Sequence, residues 1–239
     1  MERDGDENTR ARRAELRYVP WPMTILHDHD LFVFDLDGTL VDSLDDIAAS
    51  VNRVRRARRL EPLDRDQVRD YVGHGVRRLI ERSFGPDLTP EIVAGALEDF
   101  LSDYAVNATV ATRPYPGVER ALAELHSGGK ALAVLTNKPA AIAREILEKL
   151  DLARFFFFTG GGDTWPERKP HPRGLIEIAR QAGVPIGRTV LVGDTAVDVD
   201  TARAAGASVA GVTYGFRPDE IRASRPDIIV DSLEELLSG

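Results

Sequence analysis

The chain contains no cysteine. That excludes disulfides, thiolate catalysis and cysteine-ligated metal centres, and it fits a reducing cytoplasm. No apolar run approaches the roughly 18 residues of a membrane-spanning helix. An excess of positive charge is also missing: 31 Lys+Arg against 39 Asp+Glu leave a formal net charge of −8. Nucleic acid and anionic membrane are therefore poor candidates for the main partner. Residues 1–29 read as a tail. Met1 to Arg17 has no apolar stretch for a secretory signal, and Glu2, Asp4, Asp6, Glu7 and Glu15 spoil a transit-peptide reading. Pro20 and Pro22 keep the next stretch extended, and Met23, the only methionine after Met1, reads as the physiological start. Lysine is scarce, with four among the 31 Lys+Arg, so each one placed in a loop draws notice.

Against these absences, hydrophobic residues make up 43% and charged residues 29% of 239, enough for one moderate α/β domain plus a small second one. The organising stretch is LFVFDLDGTLVDS, Leu31 to Ser43. Leu31-Phe32-Val33-Phe34 suits a strand buried on both faces of a parallel sheet. Asp35 and Asp37 follow two residues apart, and Gly38 turns the chain so that side chains and backbone crowd one small volume. Two acids folded together need a counter-charge, and hard oxygen donors favour Mg²⁺. A surface turn with two solvated acids is the plainer reading of the same letters.

Downstream, Leu44, Ile47, Ala48, Val51 and Val54 recur at helical spacing behind Asp42-Ser43, a pair suited to a helix cap. Asp64 starts a second helix that Gly73-His74-Gly75 interrupts or re-caps, and Pro90 to Tyr104 forms another. No strand signal falls between Ser43 and Thr112, and Arg113-Pro114-Tyr115-Pro116-Gly117 reads as a stiff connector. Strand–helix alternation then resumes, with strands expected at Ala131–Leu135, Phe155–Phe158, Thr189–Val192, Ser208–Val212 and Ile228–Val230. The pattern predicts an α/β fold: a doubly wound parallel-sheet core over 30–42 and 113–239, with a small all-helical insert over 43–112 after the first strand. Such sheets bind ligands at the carboxyl ends of their strands.

Three further strand ends carry polar groups. Thr136-Asn137-Lys138 could offer a hydroxyl and backbone N–H groups to phosphate oxygens, although a helix cap explains Thr-Asn equally well. Lys169, between Arg168 and Pro170, could reach phosphate or simply sit at the surface. In GDTAVDVD, Asp194 and Asp198 lie one helical turn apart and could share a cation, or Asp194 or Thr195 could cap the helix while Asp198 and Asp200 face solvent.

The order DxDGT, Thr-Asn, Lys-Pro, GDxxxD resembles the haloacid-dehalogenase superfamily over Leu31 to Leu237, and within it the phosphoglycolate phosphatases. DLDGTLVDSLDDIAASVNR, YVGHGVRRLIERSFG, LAVLTNKP, GGDTWPERKPHP and LVGDTAVDVDTARAAG carry that resemblance. It implies a Mg²⁺-dependent phosphatase acting on a small phosphorylated metabolite, 2-phosphoglycolate, as a cytoplasmic monomer or homodimer. By matched position, Asp35 would be the nucleophile and Asp37 the general acid/base. Thr136, Asn137 and Lys169 would bind the phosphoryl group. Asp35, Asp194 and the Asp37 carbonyl would hold Mg²⁺, with Asp198 supporting them. The helical insert would be a mobile cap, with His74, Arg77 and Arg78 as its donors to a substrate carboxylate. Rivals separate on single residues. Haloacid dehalogenases lack the second acid, phosphonatases use a cap lysine absent here between Ser43 and Thr112, and phosphomutases typically carry a histidine that DSLDDIAASVNR lacks. A pyrophosphatase, a sugar-phosphate phosphatase, a phosphomutase, which keeps all four motifs, and a non-catalytic protein of the same fold remain as alternatives.

Overall fold

The computed structural model describes residues 28–85 and 89–237. The predicted tail lies outside these residues except at its end. There His29 is already buried and its ring meets the Ser208 hydroxyl at 2.8 Å, so packing begins one residue earlier than expected.

Strand β1 (Leu31–Phe34) is at the centre of a six-stranded sheet, and all four of its residues are fully buried. It pairs in parallel with β4 (Ala131–Leu135) on one side and β6 (Thr189–Gly193) on the other. β5 (Phe158–Gly160) extends the β4 edge, while β7 (Ser208–Val212) and β8 (Ile228–Val230) extend the β6 edge, in the order β5-β4-β1-β6-β7-β8. Period-two alternation sends Phe32 and Phe34 into one layer, with Leu122 of α5 (Val118–Ser127) and Ile146 of α6 (Ala140–Lys149). Leu31 and Val33 enter the other, with Leu175 of α7 (Arg173–Ala182), Val199 of α8 (Ala196–Ala205) and Ile221 of α9 (Pro218–Ala223). Each such side chain taken from water contributes about 1.5–3 kcal/mol, which is why the strand carries no polar residue until Asp35.

Between β2 (Val41–Asp42) and β3 (Arg113–Pro114) run four helices: α1 (Leu44–Ala57), α2 (Arg65–Arg69), α3 (Val76–Phe84) and α4 (Pro90–Asn107). Their apolar stripes meet through Val51, Val54, Leu79, Ile80, Phe100 and Tyr104. The segment's exit is tied to its entrance by buried Asp46 of α1. Its carboxylate accepts bonds from the backbone N–H of Ala111 and Thr112 and from the Thr112 hydroxyl at 2.7 Å. Among the described residues no helix is long and apolar enough to cross a membrane.

Several local expectations are corrected. The Arg113-Pro114 connector is paired, forming with Val41-Asp42 a two-stranded antiparallel ribbon at the base of the helical segment. Of the Asp42-Ser43 pair, Asp42 accepts the N–H of Leu44 at the start of α1 at 3.2 Å, while Ser43 places no cap bond because its hydroxyl donates to Asp37. The phenylalanine strand lies three residues later: Ala153–Phe155 is a 3₁₀ turn that brings the chain from α6 to the sheet edge, and pairing starts at Phe158. Helix α9 was not anticipated, although Pro218, Asp219 and Glu220 form a suitable first turn.

Candidate active site

β1 ends by passing its last ladder bond to Asp35, whose N–H donates to the Val192 carbonyl at 2.9 Å. Oδ1 of Asp35 accepts the Leu36 N–H at 2.7 Å and faces the Lys169 ammonium at 3.0 Å. No partner is present on Oδ2 among the described residues. Gly38 then takes φ +85°, and a Cβ there would lie 2.3 Å from Oδ2 of Asp194. Only glycine lets the turn close against that acid.

Asp194, directly after β6, is fully buried. It accepts the Thr39 hydroxyl at 3.2 Å and the Phe216 N–H at 2.8 Å, one on each oxygen. Asp198, in the first turn of α8, is also fully buried. Its Oδ1 takes the Lys169 ammonium at 2.6 Å, and its Oδ2 takes the Thr195 N–H and hydroxyl. Lys169 thus bridges Asp35 and Asp198, the solvent-facing reading of both being excluded. Thr136 and Asn137 are buried at the end of β4. The Asn137 amide donates to the carbonyls of Gly73, in the helical segment, and Lys169, at 2.9 and 3.0 Å. Its Oδ1 is a buried acceptor without a partner.

Oxygens of Asp35, Asp194 and Asp198 lie within 4.8 Å of one another. Burial pushes Asp35 up to about 6 against the pull of Lys169. Burial, followed by the charges of Asp198 and Asp35, holds Asp194 well above the usual carboxylate range. Three buried acids against one lysine leave uncompensated negative charge, and an all-oxygen donor set fits a hard divalent cation.

Asp37 stands apart from this cluster. Its Oδ1 accepts from the Ser43 hydroxyl and, at 2.7 Å, from the ammonium of Lys138, which also donates to the Tyr104 hydroxyl of α4 at 2.7 Å. Burial works against the charge on Lys138, but Asp37 and then Tyr104 outweigh it and hold the group at about 12. The sequence reading placed Lys138 in the Thr136-Asn137-Lys138 motif without a role for its ammonium, and it did not single out Tyr104. The scarcity of lysine and its place directly after Thr136-Asn137 were the available signals for Lys138; nothing local marked Tyr104.

Between the strand ends and the helical segment lies a cavity of about 60 Å³, onto which Asp35, Asp37, Thr136, Asn137, Lys138 and Arg217 open. The three predicted carboxylate donors are elsewhere. Arg77 and Arg78 project from α3 into solvent beside Glu81. His74 is half-buried outside the cavity wall, its basicity lowered by burial and then by Arg82 and Arg217. Geometry explains the difference. Gly73 and Gly75, both at positive φ, turn the loop's backbone rather than its imidazole toward Asn137. The cations at the cavity are Lys138 and Arg217, the latter clasping the Asp70 and Val72 carbonyls at 2.8 and 3.1 Å.

Acids and a lysine gathered from separate strand ends of a doubly wound sheet define a class. Residues 32–212 match the haloacid dehalogenase-like hydrolase family, and the chain belongs to it. Among its relatives, a phosphoglycolate phosphatase of Vibrio parahaemolyticus is 39% identical over 217 residues, covering 88% of this chain and 95% of that one. A phosphoglycolate phosphatase of Mesorhizobium japonicum is also 39% identical, over 86% of this chain and 92% of its own. A crystal structure described as a predicted phosphoglycolate phosphatase from Haemophilus somnus superposes with a TM-score of 0.84 at 32% identity, covering 88% of this chain and 97% of the other.

Proposed function

We propose that this chain is a cytoplasmic, Mg²⁺-dependent phosphatase that converts 2-phosphoglycolate to glycolate and phosphate through a phosphorylated Asp35. The observation that carries the reading is the separation of two neighbouring acids into two environments. Asp35 joins Lys169 and the acid cluster, and Asp37 joins Lys138 and Ser43.

The chain's own groups then have distinct tasks. The Asp35 carboxylate attacks phosphorus, forming an O–P bond as the ester P–O bond breaks on the opposite side. Asp37 gives its proton to the departing glycolate oxygen. A water next attacks the phosphoryl group, its proton passes to Asp37, and the bond to Asp35 breaks to release phosphate. Lys169 offsets charge on the phosphoryl oxygens, aided by the Thr136 hydroxyl and the backbone that follows it. Asp198 holds Lys169 in place through the 2.6 Å ion pair. Asp35 and Asp194, with the Asp37 carbonyl, would hold Mg²⁺, and Asp198 would support them. When bound, the ion neutralises charge on the transferring phosphoryl group.

Residues 43–112 act as a cap that excludes water from the phosphorylated aspartate, pinned to the core by Arg217 and Asn137. A cavity of about 60 Å³ favours a small ester over a polymeric substrate. The test is phosphate release by purified protein from 2-phosphoglycolate with Mg²⁺. Turnover in the wild type that vanishes in Asp35→Asn supports the reading; turnover surviving that substitution, or none in the wild type, refutes it.

A further inference from the structure

The acid/base network contains a buried cation that the phosphoryl chemistry leaves unused. The Lys138 side chain is 5% exposed, on the cavity wall, 2.7 Å from Oδ1 of Asp37 and 2.7 Å from the Tyr104 hydroxyl. An ammonium has three hydrogens, and these two bonds use two of them. The ring of Tyr104 lies 4.6 Å below the same nitrogen and is itself stacked on Phe100, so the ammonium is fixed from one side and open toward the cavity. Burying a charged lysine here costs desolvation free energy, and the cost is outweighed only because Asp37 and then Tyr104 both bond the ammonium. A group whose sole task was to orient Asp37 could be a neutral donor, as Ser43 already is on the same oxygen.

We propose that Lys138 is the specificity residue that receives the substrate's carboxylate, restricting the enzyme to phosphate esters of small 2-hydroxy acids. The proposal rests on the phosphatase reading above. Its geometry follows from Asp37. With Oδ1 held by Lys138 and Ser43, Oδ2 is the oxygen available to the ester oxygen of the leaving group. The third N–H of Lys138 then opens beside that ester oxygen. In an ester of a 2-hydroxy acid, the carboxylate hangs on the carbon that bears the ester oxygen, so one short substrate meets both groups. The rest of the cavity wall includes apolar Ile47, Leu101 and Ile142, which offer a carboxylate no partner. Tyr104, donated by the helical segment, fixes the ammonium only when that segment lies over the strand ends. Recognition of the carboxylate is thereby joined to closure.

The experiment compares kcat/KM for 2-phosphoglycolate with that for ethyl phosphate, which carries a methyl group in place of the carboxylate. Wild type should prefer 2-phosphoglycolate. Lys138→Met should lower both values, because Asp37 loses a partner, but should reduce the ratio between them at least tenfold, as expected for one charge-assisted hydrogen bond. Lys138→Arg should recover part of that ratio. Tyr104→Phe keeps the aromatic packing and decides the matter if Lys138→Met does not fold; it should raise KM for 2-phosphoglycolate more than for ethyl phosphate. Equal proportional losses on both substrates make Lys138 a support for Asp37 alone and overturn the proposal. A wild type that hydrolyses both esters without preference overturns it and leaves the phosphatase reading standing. A wild type that hydrolyses neither removes both.

Discussion

Asp35 and Asp37 differ by two positions in sequence and by everything that surrounds them. Asp35 shares its lysine with Asp198 inside a cluster of buried acids, whereas Asp37 is drawn the other way by Ser43 and Lys138. That division supports unequal consequences for the same substitution. On the proposed mechanism Asp37→Asn removes the proton donor and leaves Asp35 with Lys169, so single-turnover phosphorylation by 2-phosphoglycolate should fall by about 10²–10⁴-fold. With 4-nitrophenyl phosphate, whose leaving group needs little protonation, the loss in that step should be much smaller; equal losses would remove Asp37 from the acid role. At this scale the sequence was informative wherever chemistry and strand ends coincide, since DxDG, Lys169, Asp194 and Asp198 are all legible as letters. The partners that give those letters their state were not. That Lys138 reaches Asp37 depends on Tyr104, 34 residues away along the chain on a helix whose pattern shows only an apolar stripe.

Among the elements, the buried strands were the most readable because β1, β4 and β6 are covered on both faces and hold unbroken apolar runs. Edges were less so. The aromatic run Phe155–Phe158 has strand propensity throughout, yet its first residue forms a 3₁₀ turn and packs near His126, leaving the pairing to Phe158–Gly160. The Gly73–Gly75 loop was correctly seen as a break between helices, but the direction of His74 is a matter of backbone geometry that composition does not encode. Because His74 does not line the cavity, His74→Ala should lower turnover of 2-phosphoglycolate and ethyl phosphate in the same proportion. A selective loss on 2-phosphoglycolate above tenfold would return the carboxylate to His74.

For the whole molecule, the acid cluster links folding, pH and cation binding. The folded-state value of Asp35 is raised from 3.8 to about 6, and Asp194 is raised in the same direction. Protonation of such groups is favoured by the fold, so the contribution of Asp35 to stability is complete below about pH 4 and is lost as pH rises through 6. That of Asp194 is likewise lost as pH rises. On the proposed reading a divalent cation would bind the deprotonated carboxylates and restore what their ionisation removes. Thermal unfolding should therefore show a Mg²⁺-induced rise in Tm that is larger at pH 7 than at pH 5. An equal rise at both pH values, or none, would detach the cluster from metal binding.

The most direct measurement is to quench wild-type protein in acid during turnover of 2-phosphoglycolate with Mg²⁺ and to locate any phosphoryl group by peptide mass spectrometry. The mass of one phosphoryl group should appear on Asp35 in wild type, persist longer in Asp37→Asn because its hydrolysis is slowed, and be absent from Asp35→Asn. Phosphate release at the wild-type rate from Asp35→Asn, or a phosphoryl group on any other residue during turnover, would contradict the assignment of Asp35 as the nucleophile.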